Sequence, residues 1–163
     1  MILRASSPYA QKNIVLPDVI PDDERLWVPT GEKVWIRPLF LSVSQGYWIT
    51  TTRIRRSGII SRHSHTQAVH SHVLRGSWHY LEHDWIASEG SYVYEPPGET
   101  HTLVVDEGVD EMITTFQVHG SMVYFDKQDV LQGYDDVFTR VEQCRRHFEA
   151  VGLGASYVEN FIR

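Results

Sequence analysis

From Lys33 to about Arg56 the chain is dense in β-branched and aromatic residues, Val34-Trp35-Ile36 and then Tyr47-Trp48-Ile49-Thr50-Thr51-Thr52, with Gln45-Gly46 between them as a turn. Runs of this texture bounded by a turn predict strands. It continues in short segments at 67–75, 77–83, 91–95, 102–105 and 111–118, broken by Arg75-Gly76, His83-Asp84, Glu89-Gly90, Pro96-Pro97-Gly98 and Glu107-Gly108. Short strands punctuated roughly every 8–12 residues predict an all-β sandwich or barrel. Upstream, Pro17, Pro21 and Pro29 break any long element, so residues 1–31 read as an extended arm with at most short strands. Downstream the period changes. Val137, Val141, Cys144, Phe148 and Val151 recur at steps of four and three, the stripe of an amphipathic helix. Asp135 or Asp136 is placed to cap it and Gly152 to end it, with a second helical turn expected from Ser156 to Arg163. The segment from 135 to 163 therefore reads as helical, covering an edge or open end of the sheets, and carries no evident chemistry.

Composition narrows the class. A chain of 163 residues, 42% hydrophobic and 22% charged, describes one globular domain. A net charge of −6 lacks the basic face that nucleic acid or an anionic membrane would require. No apolar run approaches the roughly 20 residues that cross a bilayer, and the stretch from Met1 to Pro8 lacks the apolar core of a secretory signal. A single cysteine, Cys144, forms no internal disulfide and sits on the apolar stripe as a small hydrophobe. The expectation is a cytoplasmic protein.

Histidine is the informative residue. There are nine, and His63, His65, His70 and His72 crowd into one segment. In a strand, residues i and i+2 share a face, so His63 and His65 can aim both imidazoles at one point, as two ligands of a metal at about 2.0–2.2 Å require. A third histidine, His101, follows the rigid Pro96-Pro97-Gly98 turn, which fixes its approach.

These two segments resemble the paired motifs of the cupin superfamily. Gly58, His63, His65 and Gly76 match the first, and Gly90, Pro96, Gly98 and His101 the second. The resemblance implies a β-jelly-roll barrel with a C-terminal helix and a metal held inside the barrel by His63, His65 and His101. Gly58 lies one residue closer to His63 than the motif asks, and Val105 replaces its terminal Asn. The motif's glutamate ligand is also missing. Val69 occupies its slot, facing inward by strand parity, and His70 would serve only through a bulge. His70, His72, His79 and His83 are then expected outside the ligand set. Three neutral imidazoles leave the full +2 charge on the metal, which favours an anionic, chelating oxygen substrate. The ligand set suits Fe, Zn, Cu or Ni equally.

Within the superfamily, a three-histidine site resembles the small C–C-cleaving non-heme Fe(II) dioxygenases. Similarity to the 2,4'-dihydroxyacetophenone dioxygenase family rests on Asp23-Glu24-Arg25-Leu26-Trp27-Val28-Pro29, Arg55-Arg56-Ser57-Gly58, Tyr80-Leu81-Glu82-His83-Asp84-Trp85, the run from Tyr94 to Val105, and Val151-Gly152-Leu153-Gly154. It implies an aromatic ketone and O2 as substrates, with 4-hydroxybenzoate and formate as products. In the three-histidine diketone-cleaving enzymes a glutamate six residues before the last ligand stands beside the metal. Glu95 matches it, as base or as a hydrogen-bonding support for a ligand. Glu99 is expected to face solvent. Trp78, Tyr80 and Glu82 share one strand face and Tyr92 and Tyr94 another, and either face, with Val69, would give a pocket aromatic walls. Rival expectations are a β-diketone, acetylacetone-type dioxygenase, a quercetin-type dioxygenase, a metal-dependent hydrolase, or a non-catalytic zinc-holding sensor module. A purely structural cupin would normally lose its ligand histidines. The expected assembly is a homodimer or homotetramer.

Overall fold

The structure, a computed structural model, describes residue 7 and residues 10–163; the rest of the expected N-terminal arm lies outside these. Twelve strands form two six-stranded sheets among the described residues. In chain order they are β1 (Val28–Gly31), β2 (Val34–Ser42), β3 (Tyr47–Ile54), β4 (Gly58–His65), β5 (Val69–Arg75), β6 (Ser77–Tyr80), β7 (Ala87–Ser88), β8 (Tyr92–Glu95), β9 (Thr100–Val105), β10 (Met112–His119), β11 (Met122–Phe125) and β12 (Leu131–Asp135). One sheet runs β1-β2-β3-β10-β5-β8 and the other β12-β11-β4-β9-β6-β7, with every pairing between named strands antiparallel. Their inner faces close into a jelly-roll barrel, as the strand pattern and the family resemblance both led one to expect.

Three strands, β7, β11 and β12, were not foreseen, and β1 is one of the short strands allowed in the N-terminal arm. Each is short, and none has one cleanly buried face, so period two is absent from its residues. β1 contains Pro29, which is tolerated because β1 is an edge strand. At the other extreme, β3 is buried on both faces, Trp48, Thr50 and Ile54 on one and Thr51 and Arg53 on the other.

The helical stripe appears as α1 (Val137–Ala150), with Gly152 just past its end and a 3₁₀ turn at Ala155–Asn160. Asp136 is the cap. Its carboxylate accepts from the Thr139 backbone N–H at 2.8 Å, and the Thr139 hydroxyl accepts in return from the Asp136 N–H at 2.9 Å. α1 buries Val137, Cys144 and Phe148 against β1 and β2, and Phe161 packs behind them. A second cluster, built on Ile54, Val73, Trp78, Leu103 and Met112, fills another part of the interior.

Candidate metal centre

β4 and β9 place His63 directly opposite His101, and His65, two residues on, returns to the same inner face. All three side chains are buried. One ring nitrogen from each lies within 4.8 Å of the others. The Pro-Pro-Gly turn is tied into this arrangement, because the Gly98 N–H donates to the His65 carbonyl at 3.3 Å. Gly98 sits at φ 97°, a left-handed conformation that favours glycine, so the residue that joins the two motifs is one that only glycine supplies cheaply.

The donor chemistry fits a divalent metal. Nδ1 of His63 shares a hydrogen bond with the Ser61 hydroxyl at 3.0 Å, leaving Nε2 for the centre. Nδ1 of His65 and both ring nitrogens of His101 are buried without a hydrogen-bond partner. Burial, reinforced by the neighbouring imidazoles, holds His63 well below its ordinary pKa, and burial holds His101 below it too. Both are therefore neutral at physiological pH, the form that lends a lone pair to a metal. Ring nitrogens buried together without a hydrogen-bond partner are costly unless something satisfies them, and a divalent metal would.

A carboxylate stands beside the cluster. Val69 in β5 pairs across to Glu95 in β8, so the position lacking the motif's glutamate faces one on the adjacent strand. Oε2 of Glu95 lies 3.3 Å from Nε2 of His65 and 3.5 Å from Nε2 of His101. Tyr80 donates its O–H to the same oxygen at 2.8 Å and stacks on His101 with ring centroids 3.7 Å apart. The other oxygen, Oε1, is buried without a partner. The three histidines form the candidate ligand set, and Glu95 stands beside them from β8, opposite the motif slot that Val69 occupies on β5.

The cluster opens on a cavity of about 370 Å³, walled by Ile36, Trp48, Ile54, Leu103, Phe116 and Val118. At one end the lining is polar. Tyr124, directly opposite His63 on β11, donates to Asp135 at 2.7 Å, and Arg140 of α1 pairs with the same carboxylate at 2.9 Å. Burial pushes the Tyr124 hydroxyl up to about 12, so it remains a proton donor throughout the physiological range. α1, read from the sequence as carrying no evident chemistry, places Arg140 on the cavity wall. No motif marks this trio; a lone arginine on the apolar stripe of a helix was the signal available.

A family model described as the ChrR cupin-like domain matches residues 17–123, well over half of the chain. The chain belongs to the ChrR cupin-like domain family. Solved cupins share its architecture. An RmlC-like cupin protein from Ralstonia eutropha JMP134 is 28% identical, with a TM-score of 0.71 over 76% of this chain and 82% of its own. A protein of unknown function with a cupin-like fold from the same organism is 24% identical, with a TM-score of 0.71 over 74% and 76%. An acetylacetone dioxygenase from Acinetobacter johnsonii is 13% identical, with a TM-score of 0.68 over 86% and 99%, a likeness of fold alone. A search of curated proteins found no match.

In this cupin the remaining residues singled out by sequence separate into walls and surroundings. Tyr80 lines the cavity, whereas Val69 and Trp78 are fully buried in the packing behind it and take no part in its lining. Tyr92 and Tyr94 are more than half exposed on the outer face of the first sheet, where His70 bonds to Tyr92 at 2.7 Å. Glu99 is partly exposed and pairs with His83 at 3.0 Å, and His79 approaches Asp106. His72 is exposed. Glu82 has left the strand face, accepting from the Thr102 N–H at 2.8 Å and pairing with Arg62.

Proposed function

We propose that this cupin is a non-heme Fe(II) dioxygenase that cleaves the bond between the carbonyl and hydroxymethyl carbons of an aromatic α-hydroxyketone. The substrate that fits the reading is 2,4'-dihydroxyacetophenone, which with O2 gives 4-hydroxybenzoate and formate, both oxygen atoms entering the products. The observation that carries it is a cluster of three buried imidazoles beside one carboxylate, with His63 and His65 lining a mostly apolar cavity of about 370 Å³. His63, His65 and His101 would hold the metal. Bound there, ferrous iron supplies Lewis acidity toward the two chelating oxygens of the ketone and the electrons that activate O2. Preference for iron over zinc, copper or nickel rests on the resemblance to the ketone-cleaving dioxygenases, because imidazole accepts all four.

The chain's own groups then divide the work. Oε2 of Glu95 takes the proton released as the substrate's hydroxyl becomes an oxyanion, and the Tyr80 O–H fixes that oxygen in place. Trp48, Phe116 and Val118 hold the ring and exclude water. Tyr124, Asp135 and Arg140 meet the hydroxyl at the far end of a phenolic substrate, where a purely aliphatic diketone has nothing to offer. A β-diketone is the second reading, favoured by the structural likeness to acetylacetone dioxygenase.

The test is oxygen uptake by iron-loaded protein with 2,4'-dihydroxyacetophenone, acetylacetone or quercetin, with products followed by chromatography. Uptake matched one-to-one by 4-hydroxybenzoate and formate is expected with the first. Uptake with acetylacetone alone would favour the diketone reading, and no uptake with any of them would end the dioxygenase reading.

A further inference from the structure

Among the described residues three arginines are buried, and two of them are neutralised in place. Arg53 pairs with Glu24 while stacked on Trp27, and Arg140 pairs with Asp135. Arg37 is different. Only 4% exposed, it lies over the Phe161 ring at 5.0 Å, and its Nε and Nη1 have no hydrogen-bond partner. It has no ion pair among the described residues. The carboxylate whose charge reaches it, Asp18, is turned instead toward its own backbone, accepting from the Ile20 N–H at 2.7 Å. Leaving a buried cation uncompensated is costly, and natural structures seldom do so without a partner.

Arg37 faces a cleft on the far side of β2 from the metal centre, since its neighbour Ile36 lines the metal cavity and Arg37 does not. The cleft measures about 940 Å³ and lies between the segment from Gln11 to Asp18 and the C-terminal residues around Phe161. Arg163 holds that segment in place through the Lys12 carbonyl at 3.0 Å. Lys12 and Arg163 join Arg37 in the lining against the carboxylates of Asp18 and Glu159, Asn160 and Tyr157 add polar groups, and Leu16 and Phe161 supply apolar wall.

We propose that this cleft is a second ligand site, distinct from the metal centre, in which the Arg37 guanidinium receives the carboxylate of a small organic acid with an apolar body. The fork of a guanidinium matches a planar carboxylate in two parallel hydrogen bonds, and Phe161 already holds the fork in one plane.

Titration calorimetry of the metal-loaded full chain with benzoate tests this, with Arg37→Met alongside. Carboxylate binding to the metal is common to both proteins, so the difference belongs to Arg37. Wild type is expected to take up one more equivalent of benzoate than the variant, and neutral benzamide none. Inorganic phosphate, which suits a guanidinium but has no apolar body to lie against Leu16 and Phe161, is expected to bind more weakly than benzoate. Without ligand, Arg37→Met should melt no lower than wild type, because it removes an uncompensated charge. Arg37→Lys, which keeps the charge and loses the fork, should bind benzoate at least tenfold more weakly, and it serves as the comparison if the Met variant does not fold. Identical benzoate isotherms in wild type and the variant that folds would overturn the proposal. So would Arg37-dependent binding of phosphate without benzoate.

Discussion

Replacing one oxygen of Glu95 by nitrogen separates its charge from its shape. Glu95→Gln still accepts the Tyr80 O–H, but it cannot take a proton from substrate. The three histidines remain, so metal content is expected to stay near that of wild type while kcat falls by about 10²–10⁴ in an oxygen-uptake assay. Tyr80→Phe should cost less, since it loosens the carboxylate without removing it. Protonation acts on the same residues. His63 and His101 are held below the ordinary 6.5 in the folded state and return to it on unfolding. Between these values the unfolded chain binds more protons, so stability is complete above about pH 6.5 and is lost as pH falls toward the folded values. Urea melts of metal-free protein at about pH 7.5 and 5.5 should show the lower midpoint at the acid pH; an unchanged midpoint would mean that these imidazoles are not desolvated. The histidines were legible in the sequence because an i, i+2 pair and a turn-anchored third residue are local patterns. Tyr124, Asp135 and Arg140 were not, because they come from β11, β12 and α1 and meet His63 only when the barrel closes.

At the scale of elements, two positions carry sharp expectations. Gly76, between β5 and β6, sits at φ 70°, and a Cβ there would meet the Glu111 carbonyl at 2.5 Å. Gly76→Ala should cost at least about 2 kcal/mol, strain and collision together, in equilibrium denaturation. Asp136→Ala removes the capping box of α1 and should cost about 1 kcal/mol by the same measurement. Both features were readable beforehand, as a turn glycine and a cap before an apolar stripe. What strand patterning could not supply was the neighbour relation between β5 and β8, which brings Glu95 opposite Val69. Pairing between strands distant in sequence is decided by closure of the sheet, and alternation within each strand says nothing about it.

For the whole molecule, α1 and the barrel share one core. Phe148 is fully buried against Tyr157 and Phe161, so Phe148→Ala should cost about 3–5 kcal/mol and loosen Arg140 at the cavity wall as well. Among the described residues no helix is long and apolar enough to cross a membrane. Architecture was the most legible level of all, because short strands, turns and one amphipathic stripe each leave a periodic trace. Closure of the barrel then does the rest, gathering distant histidines on one inner face. That gathering is the central claim, and elemental analysis tests it most directly. Wild type and His101→Ala, purified side by side without added metal, are compared for transition metal per chain. About one equivalent in wild type, with iron foremost, and a large loss in the variant is the predicted result; no stoichiometric metal in wild type, or equal metal in both, would contradict it.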